Sequence, residues 1–172
     1  MNDLATVDVI EQVPWPEAAS ATAERAARAA LTRAGPPGPV ELSITLSDDG
    51  RQRELNRIHR GLDRPTNVLS FPAATPEEIL RARPSDQPPL LLGDVVLARE
   101  TLEQEAGAAH LPFGHHLVHL VVHGVLHLLG YDHERDDEAE VMERLEAEIL
   151  SSLDVGDPYA VPSETAATES RR

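Results

Sequence analysis

The stretch Pro112-Phe113-Gly114-His115-His116-Leu117-Val118-His119-Leu120-Val121-Val122-His123-Gly124-Val125-Leu126-His127-Leu128-Leu129-Gly130-Tyr131-Asp132-His133 decides how the chain folds. From Pro112 to Leu129 it predicts a helix. Leu117, Val118, Leu120, Val121, Val122, Val125, Leu126 and Leu128 leave almost no polar face, so this helix belongs in the centre of a core and not on a surface. Gly130 suits the left-handed residue that closes a helix, where a side chain would be strained.

Working outward, the flanking segments predict the layers that cover this helix. Toward the C-terminus, Asp136 to Leu153 reads as a helix with Val141, Met142, Leu145 and Ile149 on one face and acids in its first turn, which suits the helix dipole. Toward the N-terminus, Arg99 to Ala106 starts a helix and Leu90 to Ala98 carries a strand. Residues 72–89 contain five prolines and read as an excursion loop with one helical turn at Pro76 to Arg81. Asn67 to Phe71 is a short strand, and Arg51 to His59 a helix capped from Asp48-Asp49-Gly50. Val40 to Leu46 alternates with period two, as a half-buried strand does. Thr6 to Val13 reads as a strand that Pro14-Trp15-Pro16 breaks, and Ala-rich Glu17 to Arg33 as a helix. The fold class is therefore α+β (α/β): a single domain over residues 1–157, with a small mixed sheet of about four strands and four to five helices. Residues 158–172 are Ser/Thr/Ala/Glu-rich and are expected to form a disordered tail.

Bulk composition narrows the chemistry. There is no cysteine, so any metal site must use His, Asp or Glu. Met1-Asn2-Asp3-Leu4 lacks the basic and apolar regions of a signal peptide, and no stretch is apolar enough to span a membrane. The expected location is the cytoplasm. The net charge of −15 disfavours non-specific binding to a phosphate backbone, and DNA is not an expected partner. The charge is uneven, however. Residues 51–64 carry Arg51, Arg53, Arg57, Arg60 and Arg64 against Glu54 and Asp63, a net of +3, whereas residues 134–148 carry a net of −6.

His123 and His127 lie four apart on the central helix, so they project from one face one turn apart. Gly130 turns the chain, and Tyr131-Asp132 returns His133 toward the same point. Three imidazoles suit one zinc ion per chain and leave a fourth position open, as catalytic sites do; nickel or another divalent ion is compatible with the same donors. The spacing His-x-x-x-His-x-x-Gly-x-x-His is that of the metzincin proteases, but their general-base Glu follows the first His, and here that position is Gly124. Glu-assisted peptide hydrolysis is therefore not expected. His115, His116 and His119 are read first as ordinary helical side chains, with a second reading as groups that support the ligand rings or line the approach to the metal. Asp132 has two readings, as a partner for a ligand's free ring nitrogen or as a cap of the next helix. No general base is evident.

These residues carry a family resemblance. The run His119 to His133, followed by Met142-Glu143 and Glu146, resembles the YbeY family of bacterial endoribonucleases. So do Leu55-Asn56-Arg57-Ile58-His59-Arg60 running on to Pro65-Thr66-Asn67-Val68-Leu69-Ser70-Phe71-Pro72, and Leu92-Gly93-Asp94-Val95-Val96. Together they span about residues 40–155, in the family's order. Position 67 is Asn, where many relatives carry Asp. The resemblance implies zinc on His123, His127 and His133. It implies a single-strand-specific endoribonuclease acting in small-subunit rRNA 3′-end maturation, ribosome biogenesis and quality control. Its partners would be single-stranded RNA and the small ribosomal subunit or its proteins. Arg60 is implied as a functional residue of the cleft beside His123. Two other readings stay open: a non-catalytic ribosome-assembly factor with a structural metal, and a metallohydrolase of another substrate.

Overall fold

The structure is a computed structural model that describes residues 4–160. Four strands, β1 (Ala5–Glu11), β2 (Val40–Ser47), β3 (Val68–Pro72) and β4 (Leu90–Ala98), form one sheet in the order β1-β2-β4-β3. β1, β2 and β4 run parallel, and β3 joins β4 antiparallel. The helices are α1 (Ala19–Ala34), α2 (Asp49–Arg60), α3 (Pro76–Arg81), α4 (Arg99–Ala108), α5 (Phe113–Leu128) and α6 (Asp136–Ser152). Six helices stand where four to five were expected, because the single turn in the proline-rich excursion is closed by a capping box. Thr75 accepts from the Glu78 amide, and Glu78 accepts in return from the Thr75 amide. The mixed α+β domain is otherwise as expected. Of the disordered tail expected over residues 158–172, residues 158–160 are placed in a turn with Tyr159 bonded to Glu146, a correction to that expectation, and residues 161–172 lie outside the described residues.

Period-two alternation in β2 sends Val40, Leu42, Ile44 and Leu46 to one face, where all are fully buried, while Glu41, Ser43 and Thr45 face the other way. On the covered side of the sheet α1 packs against β1 and β2 and α5 against β3 and β4, and α5 also packs against α1, α4 and α6. Leu117, Leu126 and Leu128 of α5 have no exposed surface. Truncating any one to Ala removes transfer energy and leaves a cavity, a cost of about 2–5 kcal/mol. The approach of β3 to β4 depends on Gly93, whose φ is +131°. A Cβ there would lie 2.2 Å from the Phe71 carbonyl oxygen. That pairing brings the start of β3 alongside α5, where Ser70 Oγ donates to the Gly124 carbonyl at 2.9 Å. No helix among the described residues is long and apolar enough to cross a membrane.

Candidate metal centre

The end of α5 is a two-bond reversal. The Gly130 amide donates to the His127 carbonyl at 3.1 Å and the Tyr131 amide to the Leu126 carbonyl at 3.1 Å. Gly130 holds φ at +96°. This is the Schellman arrangement, and it turns the chain back on the helix's last turn. His133 is thereby set beside His123 and His127, with ring centroids 5.6 and 5.0 Å away, and 4.6 Å separates the two helical rings. One ligand atom from each of the three lies within 4.8 Å of the others.

The outer nitrogens of the two helical rings are already committed. His123 Nδ1 meets Glu146 Oε1 at 2.5 Å, and His127 Nδ1 meets the Tyr131 carbonyl at 2.9 Å. An ionised carboxylate and a carbonyl can only accept, so both imidazoles carry their proton on Nδ1. With both rings neutral, their Nε2 lone pairs face each other across 3.0 Å. A shared cation relieves that opposition, so the donor set fits a metal ion held by neutral imidazoles. Burial, and next the neighbouring His123 and His133, push the His127 pKa down. The ring is thus kept in the neutral form that a metal requires.

Glu146 is fully buried in α6. Burial alone would raise its pKa, but hydrogen bonds from His119, His123 and Tyr159 outweigh this and bring the carboxyl down to about 2. The sequence reading missed this residue as the group that orients a ligand ring. A signal existed, because Glu146 sits on the apolar stripe of Met142, Leu145 and Ile149, all of them buried. Asp132 takes neither expected role: its Oδ1 accepts from the His133 amide at 2.7 Å. Arg135 stands at the N-cap of α6, with no side-chain cap. His119 bonds Glu146 at 3.3 Å, and His116 bonds Glu105 at 2.8 Å, so neither is a bystander. His115 is exposed. Asn67 uses both ends of its amide, accepting from the Val68 amide and donating to Glu105 at 3.1 Å. An Asp there would set two carboxylates against each other, so Asn is matched to its neighbour in this chain.

His123, His127 and His133 line a cleft of about 680 Å³ whose other walls include Arg60, Asn67 and Ser70. Arg60 is the last residue of α2, exposed, with no carboxylate partner among the described residues. The basic island is not uniform. Arg51 is paired with Glu54, and Arg53 with Asp63 through two hydrogen bonds, while Arg60, Arg64 and Arg57, whose charge also acts on Asp63, form no salt bridge among the described residues. Gly124, where a metzincin would carry its base, is buried against the sheet. A Cβ there would lie 2.7 Å from Val95 Cγ1 and 3.2 Å from Ser70 Oγ. No side chain fits that position as the helix now sits.

Comparison with known proteins agrees with this architecture. Residues 8–154 match the family model described as Endoribonuclease YbeY. A protein of Azorhizobium caulinodans named Endoribonuclease YbeY is 53% identical over 165 residues, covering 92% of this chain and 98% of the relative. A protein of the same name from Nitrobacter winogradskyi is 54% identical over 139 residues, covering 78% of this chain and 72% of the relative. The solution structure of TM1509 from Thermotoga maritima superposes with a TM-score of 0.54 at 22% identity, over 91% of this chain and all of that one, and so shares the fold. With most of the chain matched and a near-full-length relative at 53% identity, this protein belongs to the YbeY endoribonuclease family.

Proposed function

We propose that this protein is a single-strand-specific, zinc-dependent endoribonuclease of the cytoplasm that matures the 3′ end of small-subunit rRNA. The observation that carries the reading is the approach of the His123 and His127 Nε2 atoms to 3.0 Å of one another, in the same cleft as Arg60, which has no carboxylate partner among the described residues. Family membership supports RNA as the substrate.

In this mechanism His123, His127 and His133 hold the ion, with two of the rings locked by Glu146 and the Tyr131 carbonyl. When bound, a divalent ion supplies Lewis acidity toward a phosphoryl oxygen or a water. Arg60 binds the scissile phosphate and stabilises the charge that develops on it, which a planar guanidinium does through two parallel N–H donors. Arg57 and Arg64 guide the flanking backbone and give binding its salt dependence. Glu146 is not the general base, because it is buried behind the far nitrogen of His123.

The test is metal content and single-stranded RNA cleavage, measured side by side on identically purified proteins. Wild type is expected to hold about one zinc and to cleave, and His123→Ala to lose both. Arg60→Ala is expected to keep its zinc and lose roughly 100- to 1,000-fold in rate, the usual cost of removing a group that stabilises transition-state charge. Cleavage that survives loss of the metal would discard the enzyme reading in favour of an assembly factor. Full activity in Arg60→Ala would remove that residue from the mechanism.

A further inference from the structure

Helix α6 ends in the same reversal as α5. The Asp154 amide donates to the Ser151 carbonyl at 3.1 Å and the Val155 amide to the Leu150 carbonyl at 2.9 Å, with Asp154 at φ +59°. The chain therefore folds back along the helix it has just left. Asp157 Oδ1 then accepts from the Tyr159 amide at 2.8 Å, a local turn that fixes where the tyrosine points. The Tyr159 hydroxyl donates to Glu146 Oε2 at 2.5 Å, and its ring stands edge-on to His119 with centroids 5.9 Å apart.

We propose that Glu146 and Tyr159 are positioning residues for the metal ion, so that retention of the ion depends on the segment that follows α6. The inference rests on reading His123 as a ligand. Glu146 has no exposed surface, and its two oxygens accept from three side chains. Oε1 fixes the His123 ring through Nδ1–H and so aims Nε2 into the site. Oε2 is held by Tyr159 at 2.5 Å and by His119 at the longer 3.3 Å. Remove the phenol oxygen and a buried carboxylate oxygen keeps only the weaker donor. A buried acceptor left short of partners shifts to find others, and the ring it steers moves with it. The partners that orient metal-binding histidines tune affinity as well as geometry. Here that outer support reaches the ligand from a turn beyond the last helix.

The test uses the full-length protein stripped of metal and titrated with zinc against a competing chelator, then with cobalt(II) to record the visible absorption of the bound ion. Glu146→Gln is expected to weaken zinc binding roughly 10- to 100-fold. Tyr159→Phe keeps the ring and loses only the hydroxyl, and is expected to weaken it about three- to tenfold, the worth of one hydrogen bond. Both are expected to shift the cobalt(II) bands, and metal-free Tyr159→Phe to stay folded while melting a few degrees below wild type. Should Glu146→Gln fail to fold, Tyr159→Phe decides alone. Wild-type affinity and an unchanged cobalt spectrum in Tyr159→Phe would overturn the inference and leave the metal centre standing. A wild-type protein that binds no zinc would overturn both.

Discussion

Helices α5 and α6 close with the same pair of backbone hydrogen bonds, yet one turn uses glycine and the other aspartate. The difference lies in the angle each must hold. Asp154 sits at φ +59°, the bottom of the left-handed well, which Asp tolerates because its short side chain bonds locally. Gly130 sits at φ +96°, beyond that well and open chiefly to a residue without Cβ. The first turn must deliver a ring to within a few ångströms of two others. The second delivers a long phenol, whose own torsions absorb small errors. Where placement is strict, the backbone takes an angle reserved for glycine; where it is forgiving, an ordinary residue serves.

Breaking the stricter turn has the largest expected effect. Gly130→Val puts a branched side chain at a left-handed angle, which should cost about 1–3 kcal/mol in denaturant unfolding and release most of the bound metal. Full metal content in that variant would mean that the angle is not what delivers His133. The more forgiving turn is probed through acid. Metal-free protein holds the Glu146 carboxyl at about 2 in the fold against an ordinary 4.5. A folded pKa below the unfolded one gives a contribution that is complete above the ordinary value and lost as pH falls toward the folded one. Stability should therefore decline more steeply between pH 4.5 and about 2 in wild type than in Glu146→Gln. Parallel pH profiles would show that the buried carboxylate carries no such linkage. The smallest effect is expected from Asp154→Gly. Relief of the left-handed strain is partly offset by the added freedom of the unfolded chain, leaving a gain of at most about 1 kcal/mol and unchanged zinc affinity. A destabilised variant would show that the Asp154 side chain contributes more than its backbone angle.

Much of this was legible along the chain, because local rules and tertiary needs agree in it. The apolar run from Leu117 to Leu128 marked the core helix, and Gly130 marked its end. Alternation in Val40 to Leu46 marked a strand with one covered face. The three-histidine cluster followed from helical spacing plus one turn. The parts that escaped depend on crossings between distant segments. Glu146 reads as one more acid in an acidic helix until α6 is laid across α5 and its carboxylate meets a ring 23 residues earlier. Tyr159 has no periodic pattern around it at all. Arg51 and Arg53 counted toward a basic surface, yet each has a neighbouring acid that claims it. Asp132 had two readings, a ligand ring or the cap of the next helix, and took the nearest amide instead.

Gly124 bears on what this scaffold could become. Its Cα faces Val95 and Ser70 so closely that even a methyl group there would collide. A water-activating carboxylate on that turn is therefore out of reach by a single substitution, because helix and sheet would first have to move apart or Val95 shrink. The fit between α5 and the sheet thus closes the one-step route to metzincin-type chemistry, although the histidine spacing is already in place.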